Sequence, residues 1–406
     1  MVKNILRKYL SPKMKMRLSY WSKEIFRLSK GRKKCSSIFP YCFIRHKYRD
    51  TFFGYYDISP YNENGEMVYL VLDESKQYAD IMLRSSKGDM ETIVTRTNAW
   101  NWQQGSRLRW LSGSNDVIIF NDYVEGKYIS RIVNVRTKEE KQLSWPQYDV
   151  DKDGLRALSL NFARLGVKRP GYGYTCKSYS EDVDKLVEEG IDLIDIPKNT
   201  SKRIITYKNI IEVLGMKAKD YSDNYINHIA YSPSCKKFMF FWLTWSEGYH
   251  KAYLMVYDFI KNTILPLETE FIVSHYLWTD DEHILCTAYD DKGEWHYILY
   301  GLDGSKKYMF PEIDFDSHPT RIDDEWIVTD SYPDLKGYQK LFKCNLVTGE
   351  VRKFMELFSK PALTVELRTD LHPRYFADKK QVCIDCNIKG VREMCLINMD
   401  EKTEVI

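Results

Sequence analysis

The sequence lacks any uninterrupted apolar stretch of transmembrane or signal-peptide length in its 406 residues. It also lacks the G-x-S-x-G, Walker A and G-x-G-x-x-G patterns, so serine hydrolysis, nucleotide hydrolysis and dinucleotide chemistry have no support. A glycosyltransferase or glycoside hydrolase would need a pair of carboxylates, which the spacing does not identify, so that class stays open. We expect a cytoplasmic protein.

The cysteines are too scattered to form a disulfide framework. There are nine of them, an odd number, spread over the whole chain. Cys383 and Cys386 have the C-x-x-C spacing of a zinc site, but both fall in a predicted strand and no second pair follows. We therefore expect buried thiols.

Four of the eight histidines recur at nearly one spacing, each at the head of a strand-like segment. They are separated by 47, 43 and 54 residues and are His228, His275, His318 and His372. A period of this size is typical of repeat architectures in which each unit is one small sheet. If the units close into a ring, residues at the same phase converge on one axis. Histidine is a common metal ligand and general acid or base, so this cluster is the main lead on function. His250, His283 and His296 are out of phase and are expected to lie away from it.

Short aromatic and β-branched runs, bounded by turn residues, follow each repeat start. Three further starts precede the histidine segments, in FGYYDISP, WNWQQGSRLRW and ALSLNFARL, which makes seven in all. Four short strands per unit are the pattern of a propeller blade, so we predict an all-β, seven-bladed β-propeller. The predicted organisation is a leader over 1–40 and a propeller over 41–406. Helix-like spacing predicts a small helical insertion at about 178–222.

Residues 1–34 differ sharply in charge from the rest of the chain. They contain twelve Lys or Arg and one acid, Glu24, so the remainder has 48 basic and 56 acidic residues. Apolar residues are interleaved with the basic ones, as in a helix that lies on an anionic membrane. A solvated, partly disordered leader is the alternative. Nucleic-acid binding is not expected, because the body is acidic and has no recognition motif.

Several strings in this chain resemble a family of bacterial propellers that accompany surface-polysaccharide genes. That family is similar to the oligogalacturonate and ulvan lyases. The strings extend from about residue 50 to the C-terminus and include GYYDISP, NAWNWQQGSRLRWL, SLNFARL, RPGYGY, NHIAYSP, SHPT, TDSYPDLKGYQKLF and DLHPRYFADKKQVCIDC. The resemblance implies a central cleft in which a metal or cationic side chains hold a uronate carboxylate.

Such a cleft would support β-elimination, in which a base removes the C5 proton and an acid assists departure of the C4 oxygen. Neutralising the carboxylate makes that proton more acidic and stabilises the developing enolate. Three imidazoles on consecutive repeats would hold a divalent metal, Mn or Zn: His275, His318 and His372. His228, one repeat earlier, is left as the base.

The remaining roles are assigned by residue type. The candidate acids are Tyr172, Tyr174 and Tyr56, of which Tyr56 is also a candidate substrate-binding residue. The candidate carboxylate partners are Arg164 and Arg374. Gln103 and Gln104 share the phase of the histidines and are candidates for contacts to sugar hydroxyls. Asp316 and Asp370 each precede a histidine by two residues and would orient imidazoles or cap turns.

One departure from the family pattern favours a protein without turnover. After NHIAYSP the relatives tend to have a His-Arg-Trp triplet, whereas this chain has Leu243, Thr244 and Trp245. Two readings follow. The first is a propeller that acts on an acidic cell-surface polysaccharide or its precursor, by metal-assisted elimination at a uronate. The second is a non-catalytic scaffold of a membrane-associated glycan-assembly system, in which the histidines bond neighbouring blades. In both we expect the protein in the cytoplasm, at the inner membrane.

Overall fold

The computed structural model describes residues 35–175, 183–216, 223–246, 249–364 and 366–400. They form seven antiparallel sheets, six of four strands and one of five, which make a seven-bladed β-propeller. This confirms the predicted fold class. The predicted membrane-binding leader, residues 1–34, lies outside the described residues. None of the helices in the described part of the chain is long and apolar enough to cross a membrane.

The chain begins with two short strands that belong to the last two blades, and then builds blades 1 to 3. The first two strands are β1 (Cys35–Ser37) and β2 (Tyr41–Ile44). Blade 1 consists of β3 (Thr51–Phe52), β4 (Met67–Leu72), β5 (Ala79–Arg84) and β6 (Glu91–Thr97). Blade 2 consists of β7 (Arg109–Trp110), β8 (Val117–Val124), β9 (Lys127–Asn134) and β10 (Glu140–Leu143). Blade 3 consists of β11 (Asp149–Val150), β12 (Arg156–Ser159), β13 (Gly190–Asp195) and β14 (Thr200–Thr206).

Blades 4 to 7 contain the four periodic histidines at or beside their innermost strands. Blade 4 consists of β15 (Asn224–Tyr231), β16 (Lys237–Ser246), β17 (Tyr249–Asp258) and β18 (Thr263–Glu268). Blade 5 consists of β19 (Ile272–Trp278), β20 (His283–Tyr289), β21 (Trp295–Gly301) and β22 (Lys306–Met309). Blade 6 consists of β23 (Thr320–Arg321), β24 (Trp326–Asp330), β25 (Tyr338–Asn345) and β26 (Val351–Phe358). Blade 7 consists of β27 (Arg374–Phe376), β28 (Gln381–Cys386) and β29 (Glu393–Asn398).

The N-terminal strands close the ring without a covalent link. β2 pairs antiparallel with β29 and completes blade 7, while β1 pairs with β26 as a fifth strand of blade 6. Among the described residues, pairing with the blades begins at Cys35, six residues before the predicted boundary at 41. Because β2 supplies the fourth strand of blade 7, strands from the start and the end of the described chain close the ring through backbone hydrogen bonds, and this pairing covers the edge of β29.

The predicted helical insertion contains both helices and strands in its described part, 183–216. GIDLID forms β13, and the following residues form β14, so both belong to blade 3. The helices of the described chain are short: α1 (Phe162–Lys168), a 3₁₀ turn (Val183–Glu188) and α2 (Tyr207–Leu214). A six-residue apolar run is ambiguous between the two periods, and pairing with β12 decided for strand. Thr206 and Asn209 cap α2 reciprocally, which limits this helix to the edge of the blade.

Large apolar side chains fill the space between blades. All six residues of β4 are buried, as expected of a strand covered on both faces. The eight cysteines in the described part of the chain are free thiols, and Cys383 and Cys386 are buried in β28. The apolar core therefore lies between the blades, and buried polar residues are found near the axis.

Candidate functional site

Three of the four periodic histidines, all but His318, are presented by an irregularity near the start of a blade. β15 has a register shift between Asn227 and Ala230, and β19 has one between Val273 and His275. His228 and His372 adopt the left-handed backbone region, with φ of 57° and 46°. Bulges and positive φ redirect a side chain at a cost in backbone energy, and both are concentrated at functional sites. The blades therefore position these imidazoles by local strain as well as by repeat phase.

The structure brings the four rings together into what we call the histidine cluster: His228, His275, His318 and His372. The ring centroids of His275 and His318 are 3.9 Å apart, those of His318 and His372 are 4.5 Å apart, and those of His228 and His275 are 6.3 Å apart. Tyr55 lies among them, with its ring centroid 4.8 to 6.4 Å from each of the four. All four imidazoles are buried.

In three of the four histidines, Nδ1 lies within hydrogen-bond distance of an oxygen acceptor. His275 Nδ1 lies 2.8 Å from Asp316 Oδ1, and His318 Nδ1 lies 2.8 Å from Asp330 Oδ1. His372 Nδ1 lies 2.9 Å from the carbonyl oxygen of Gly54. An acceptor at Nδ1 places the hydrogen there and leaves Nε2 as a lone-pair donor, the arrangement found behind metal-bound histidines. Asp316 thus orients the histidine of the preceding blade.

Burial and neighbouring carboxylates set the charges in this cluster. Burial lowers the pKa of His275, although Asp316 partly opposes it. Burial also lowers the pKa of His318, but Asp330 more than offsets this and the net shift is upward. For Asp316 burial acts to raise the pKa, yet His275 and its hydrogen bonds bring the value down to about 2. His275 is therefore neutral and Asp316 ionised at neutral pH.

Two of these imidazoles have free nitrogens beside a carboxylate. His318 Nε2 and His372 Nε2 are buried without a hydrogen-bond partner. One ligand atom from each of His318, Asp370 and His372 can lie within 4.8 Å of the other two. Unpaired buried polar atoms are rare in proteins, and two imidazoles with a carboxylate are a usual donor set for Mn²⁺ or Zn²⁺. These residues fit a divalent metal. Asp370, which the sequence suggested as an orienting group, is a direct ligand candidate.

His228 stands slightly apart from the other three. Burial is the main reason that its pKa lies well below 6.5, so the ring is neutral. Its Nε2 lies 3.1 Å from Asn227 Nδ2, and its Nδ1 is buried without a partner. Tyr148 donates to Asn227 Oδ1 and accepts from the His228 backbone N–H. The ring of Tyr172 crosses His228 at 5.9 Å, nearly perpendicular. His228 and Tyr172 are therefore neighbours in the same wall.

A cavity of about 600 Å³, which we call the axial cavity, adjoins this cluster: His228 and His275 line it, whereas His318 and His372 lie buried behind them. Its polar lining consists of Arg169, Asn227, His228, His250, Ser274, His275, Asp316 and Arg368. Its aromatic lining consists of Tyr172, Tyr225, Tyr289, Trp295 and Tyr332. Arg368 is fixed, because it forms two hydrogen bonds to Asp370 at 2.6 and 2.9 Å and stacks 4.0 Å from the Tyr332 ring. Aromatic faces beside guanidinium groups suit a ligand with apolar ring faces and a carboxylate.

Two of the predicted acids do not face this cavity. The Tyr56 hydroxyl bonds the backbone carbonyl and N–H of Tyr276 at 3.0 and 2.9 Å, inside the ring. The Tyr174 hydroxyl accepts from Asn121 Nδ2 at 3.0 Å in blade 2. Only Tyr172, of the three, lines the axial cavity.

The predicted arginines and glutamines serve the scaffold. Arg374 is buried against Asp385, with Nη2–Oδ1 at 2.9 Å, and also donates to the carbonyl of Gly54. Arg164, on α1, donates to the backbone carbonyl of Asn224. Gln103 donates to the carbonyl of Arg368 at 3.0 Å. Gln104 donates to Tyr148 and Asn227 at 2.8 and 3.1 Å. In all four side chains, an acceptor from another segment already occupies at least one N–H donor.

Sequence reasoning missed several residues that line or support the site. Arg169 and Arg368 lie in the motifs RPGYGY and RTDLHPRY, yet only their neighbours were chosen. Asp330 is the last residue of β24, directly after its apolar run, and a carboxylate at the end of such a strand was a signal that could have found it. His250 was expected elsewhere but lies at the rim, because β17 begins at the same face as β19. His283 and His296 bond Asp280 and Asp290 on blade 5 and do not line the cavity.

These features define a seven-bladed propeller with a buried, imidazole-rich axial site. The fold is similar to solved oligogalacturonate lyases: one from Vibrio parahaemolyticus has a TM-score of 0.64 at 10% identity, covering 92% of this chain and 100% of that one. An oligogalacturonate lyase in complex with manganese has a TM-score of 0.65 at 12% identity, covering 92% and 99%.

Other propellers match less closely. The propeller domain of the Trilobed protease from Pyrococcus furiosus has a TM-score of 0.51 at 11% identity, covering 89% of this chain and 97% of that one. No protein-family model and no curated protein matches the sequence. At these identities the likeness shows a shared fold, and the site chemistry has to be argued from the residues themselves.

Proposed function

We propose that this protein is a metal-dependent lyase that acts on an acidic, uronate-containing oligosaccharide. The observation that carries the proposal is the pair of unpaired buried nitrogens, His318 Nε2 and His372 Nε2, beside the Asp370 carboxylate under an arginine-lined cavity. The similarity to oligogalacturonate lyases, one of them in complex with manganese, supports the same class. The bacterial surface-polysaccharide setting remains part of the proposal.

A divalent metal would be held by His318, Asp370 and His372, with His275 as the nearest further imidazole. When bound, such an ion supplies positive charge that stabilises developing negative charge on a substrate carboxylate. Asp330 supports both imidazoles, because it accepts from the His318 ring and from the backbone N–H groups of His318 and His372. These contacts fix the ligands before a metal binds.

The arginines at the cavity wall orient the substrate. Arg368 presents a rigid guanidinium, and Arg169 lies 5.3 Å above the Tyr172 ring on the same wall. Guanidinium groups hold carboxylates through paired hydrogen bonds, which fixes the plane of the uronate. Leu243 lines the cavity where the resemblance places a histidine, and Arg169 and Arg368 supply the positive charge in this chain.

In this proposal His228 and Tyr172, whose rings are 5.9 Å apart, move the protons of an elimination. His228 takes the C5 proton, the electrons of that bond form the C4–C5 double bond, and the C4–O bond breaks. Tyr172, whose pKa burial raises, stays protonated and gives its proton to the leaving oxygen. In the structure Asn227 Nδ2 faces His228 Nε2. Proton uptake at Nδ1 requires the Asn227 amide to turn, so that its oxygen accepts from Nε2–H.

The test is turnover of a panel of uronate oligosaccharides by Mn²⁺-loaded protein, followed through the absorbance of the conjugated product. His228→Ala is expected to lower the rate by about 10²–10⁴ while substrate still binds. His283→Ala is the matched control, because His283 is exposed on blade 5 outside the cavity, and it should retain the full rate. No product from any uronate with the metal bound would overturn the lyase.

A second candidate is a glycan-binding propeller that scaffolds a membrane-associated assembly system without turnover. The apolar wall at Leu243 favours it, since that position contributes neither charge nor a proton. We propose a cytoplasmic location at the inner membrane for either function, with residues 1–34 as the attachment. Deleting residues 1–34 should reduce binding to anionic vesicles in a salt-sensitive way. Equal binding by full-length and truncated protein would overturn the attachment.

A further inference from the structure

Two further recesses, formed by described residues, lie on the same face of the ring as the axial cavity. A second recess of about 220 Å³, the tryptophan cleft, is lined by Lys76, Asn98, Trp100, Trp102, Tyr128 and Glu366, among others. A third, of about 380 Å³, lies between blades 2 and 3 and is lined by Tyr128, Trp145, Asn161 and Arg203, among others. All three collect residues from turns between the second and third strands of their blades. In a propeller such turns lie on one face.

The recesses adjoin one another. The 169–175 segment separates the axial cavity from the tryptophan cleft, and it contributes Arg169 and Tyr172 to the first and Gly171 and Gly173 to the second. The loop after blade 6 does the same, with Arg368 on one side and Glu366 on the other. On the far side of the cleft, Tyr128 lines both it and the third recess.

The 169–175 segment packs closely against neighbouring backbone, which leaves no room for a side chain at two of its glycines. Gly171 has φ of +94°, and a Cβ on Gly173 would lie 2.1 Å from the backbone nitrogen of Gly166. Neither position accepts a side chain without strain. The segment is anchored to blade 2, since the Gly171 carbonyl accepts from the Gln103 N–H at 3.1 Å. Backbone alone therefore stands between the two recesses at these glycines.

The tryptophan cleft has the chemistry of an acidic sugar site. Trp100 and Trp102 are half-buried and meet edge to face with centroids 5.0 Å apart. The Lys76 ammonium lies 5.3 Å from the Trp102 ring and forms an ion pair with Asp50 Oδ2 at 2.8 Å, while 52% of its side chain is exposed and can turn to a ligand. The Asn98 side chain is exposed beside them. Indole faces suit the apolar faces of a pyranose, and an exposed ammonium suits its carboxylate.

We propose that the tryptophan cleft is a second binding site for the same acidic oligosaccharide, whose chain crosses the glycine segment from the axial cavity. This inference rests on the proposed function and adds to it a preference for length. A dimer fills the axial cavity alone, whereas a longer uronate chain also contacts Lys76 and the tryptophans. Longer chains therefore bind more tightly, because both sites are occupied by one molecule.

The experiment titrates oligogalacturonate dimer and hexamer into Mn²⁺-loaded protein with His228→Ala, which binds without turnover. The hexamer should bind at least about tenfold more tightly than the dimer. Lys76→Gln should weaken hexamer binding about two- to fivefold and leave dimer binding unchanged. The same comparison can be made in protein that retains His228: Lys76→Gln should raise the KM of the hexamer and leave the KM of the dimer unchanged.

Lys380→Gln is the matched control. Lys76 and Lys380 are both exposed turn lysines at positive φ, 57° and 45°, and both lie near an aspartate. Lys380 lines a recess formed by blades 6 and 7, away from the cleft, and its replacement should change neither affinity. Equal affinity for dimer and hexamer, or equal losses for the two lysine variants, would overturn the second site. Absence of binding by both lengths would overturn the proposed function as well.

Discussion

Two polar groups share the axis of this propeller and differ in how completely they are paired. The Arg107 cluster consists of Asp57, Arg107, Tyr148 and Tyr276. Arg107 bonds both Asp57 oxygens, at 3.1 and 2.9 Å, and the carbonyl of Tyr148 at 2.7 Å, while the Tyr276 hydroxyl donates to Asp57. In the histidine cluster, by contrast, three ring nitrogens are buried without a partner.

This difference in pairing assigns a structural role to the Arg107 cluster and a ligand-binding role to the histidine cluster. A buried ion pair with every polar atom satisfied stabilises the ring and has nothing left to offer a ligand. Unpaired buried nitrogens cost free energy on folding, so their presence is best explained by a group that binds them. Tyr148 belongs to the first cluster and bonds Asn227 and His228, so the paired cluster also supports the unpaired one.

The largest effect is expected for Arg107→Met. Loss of the guanidinium leaves the Asp57 carboxylate buried without its partner, which should lower the free energy of unfolding by about 3–5 kcal/mol. Denaturant unfolding measures it. Mn²⁺ binding by the folded fraction should stay unchanged, because Arg107 belongs to the paired cluster. An unchanged free energy of unfolding, or a loss of Mn²⁺ binding at unchanged stability, would contradict the distinction between the two clusters.

The next effect concerns the support of the metal ligands. Asp330→Asn removes the charge that orients His318 and should weaken Mn²⁺ binding about 10–100-fold. Asp280→Asn is the control, because Asp280 bonds the exposed His283 on blade 5. Calorimetric titration with Mn²⁺ measures both variants. Equal affinities would show that the carboxylate does not act through His318.

A pH-dependent effect is expected at Asp316. Its pKa is 3.8 as a free group and about 2 in the folded chain. A lowered pKa stabilises the fold above the unfolded value and loses that contribution as the pH falls from about 4 to about 2. Asp316→Asn should therefore be less stable than wild type by about 2 kcal/mol at neutral pH. The gap should narrow towards pH 2; a gap independent of pH would contradict the assignment.

The smallest effect sharpens the role of His228. Asn227→Asp keeps an acceptor for Tyr148 and Gln104, but it presents only oxygen to His228 Nε2. The hydrogen should then move to Nε2, and the His228 pKa should rise by about one unit. NMR titration of the ring reads both changes. Asn227→Leu, which adds no charge, is the control and should not raise the pKa.

Repeat phase and strand composition were sufficient to predict the fold. Alternating apolar runs predicted the blades, and the spacing of four histidines predicted which strands begin beside the axis. GIDLID failed because a six-residue run fits both periods, and pairing with Arg156–Ser159 decided it. The pairing of β1 with blade 6 could not be read from the sequence, since three residues of an outer strand carry almost no pattern.

The site was less predictable, because its partners come from distant segments. Arg374 had the right chemistry, but Asp385 on the next strand already pairs with it, and that depends on the register of β27 with β28. Tyr55 was passed over for its neighbour Tyr56, because both follow β3 in irregular backbone, where no strand alternation tells which ring lies among the histidines. Asp330 orients His318 from twelve residues away, where only the folded blade shows the contact.

Metal binding by the histidine cluster tests the central claim most directly. We predict that metal-free wild-type protein takes up one Mn²⁺ per chain, measured by calorimetry and elemental analysis. His318→Ala and His372→Ala should each abolish this uptake, whereas His283→Ala, at an exposed histidine of blade 5, should retain it. Uptake that is absent from wild type, or equal in all four proteins, would contradict the account.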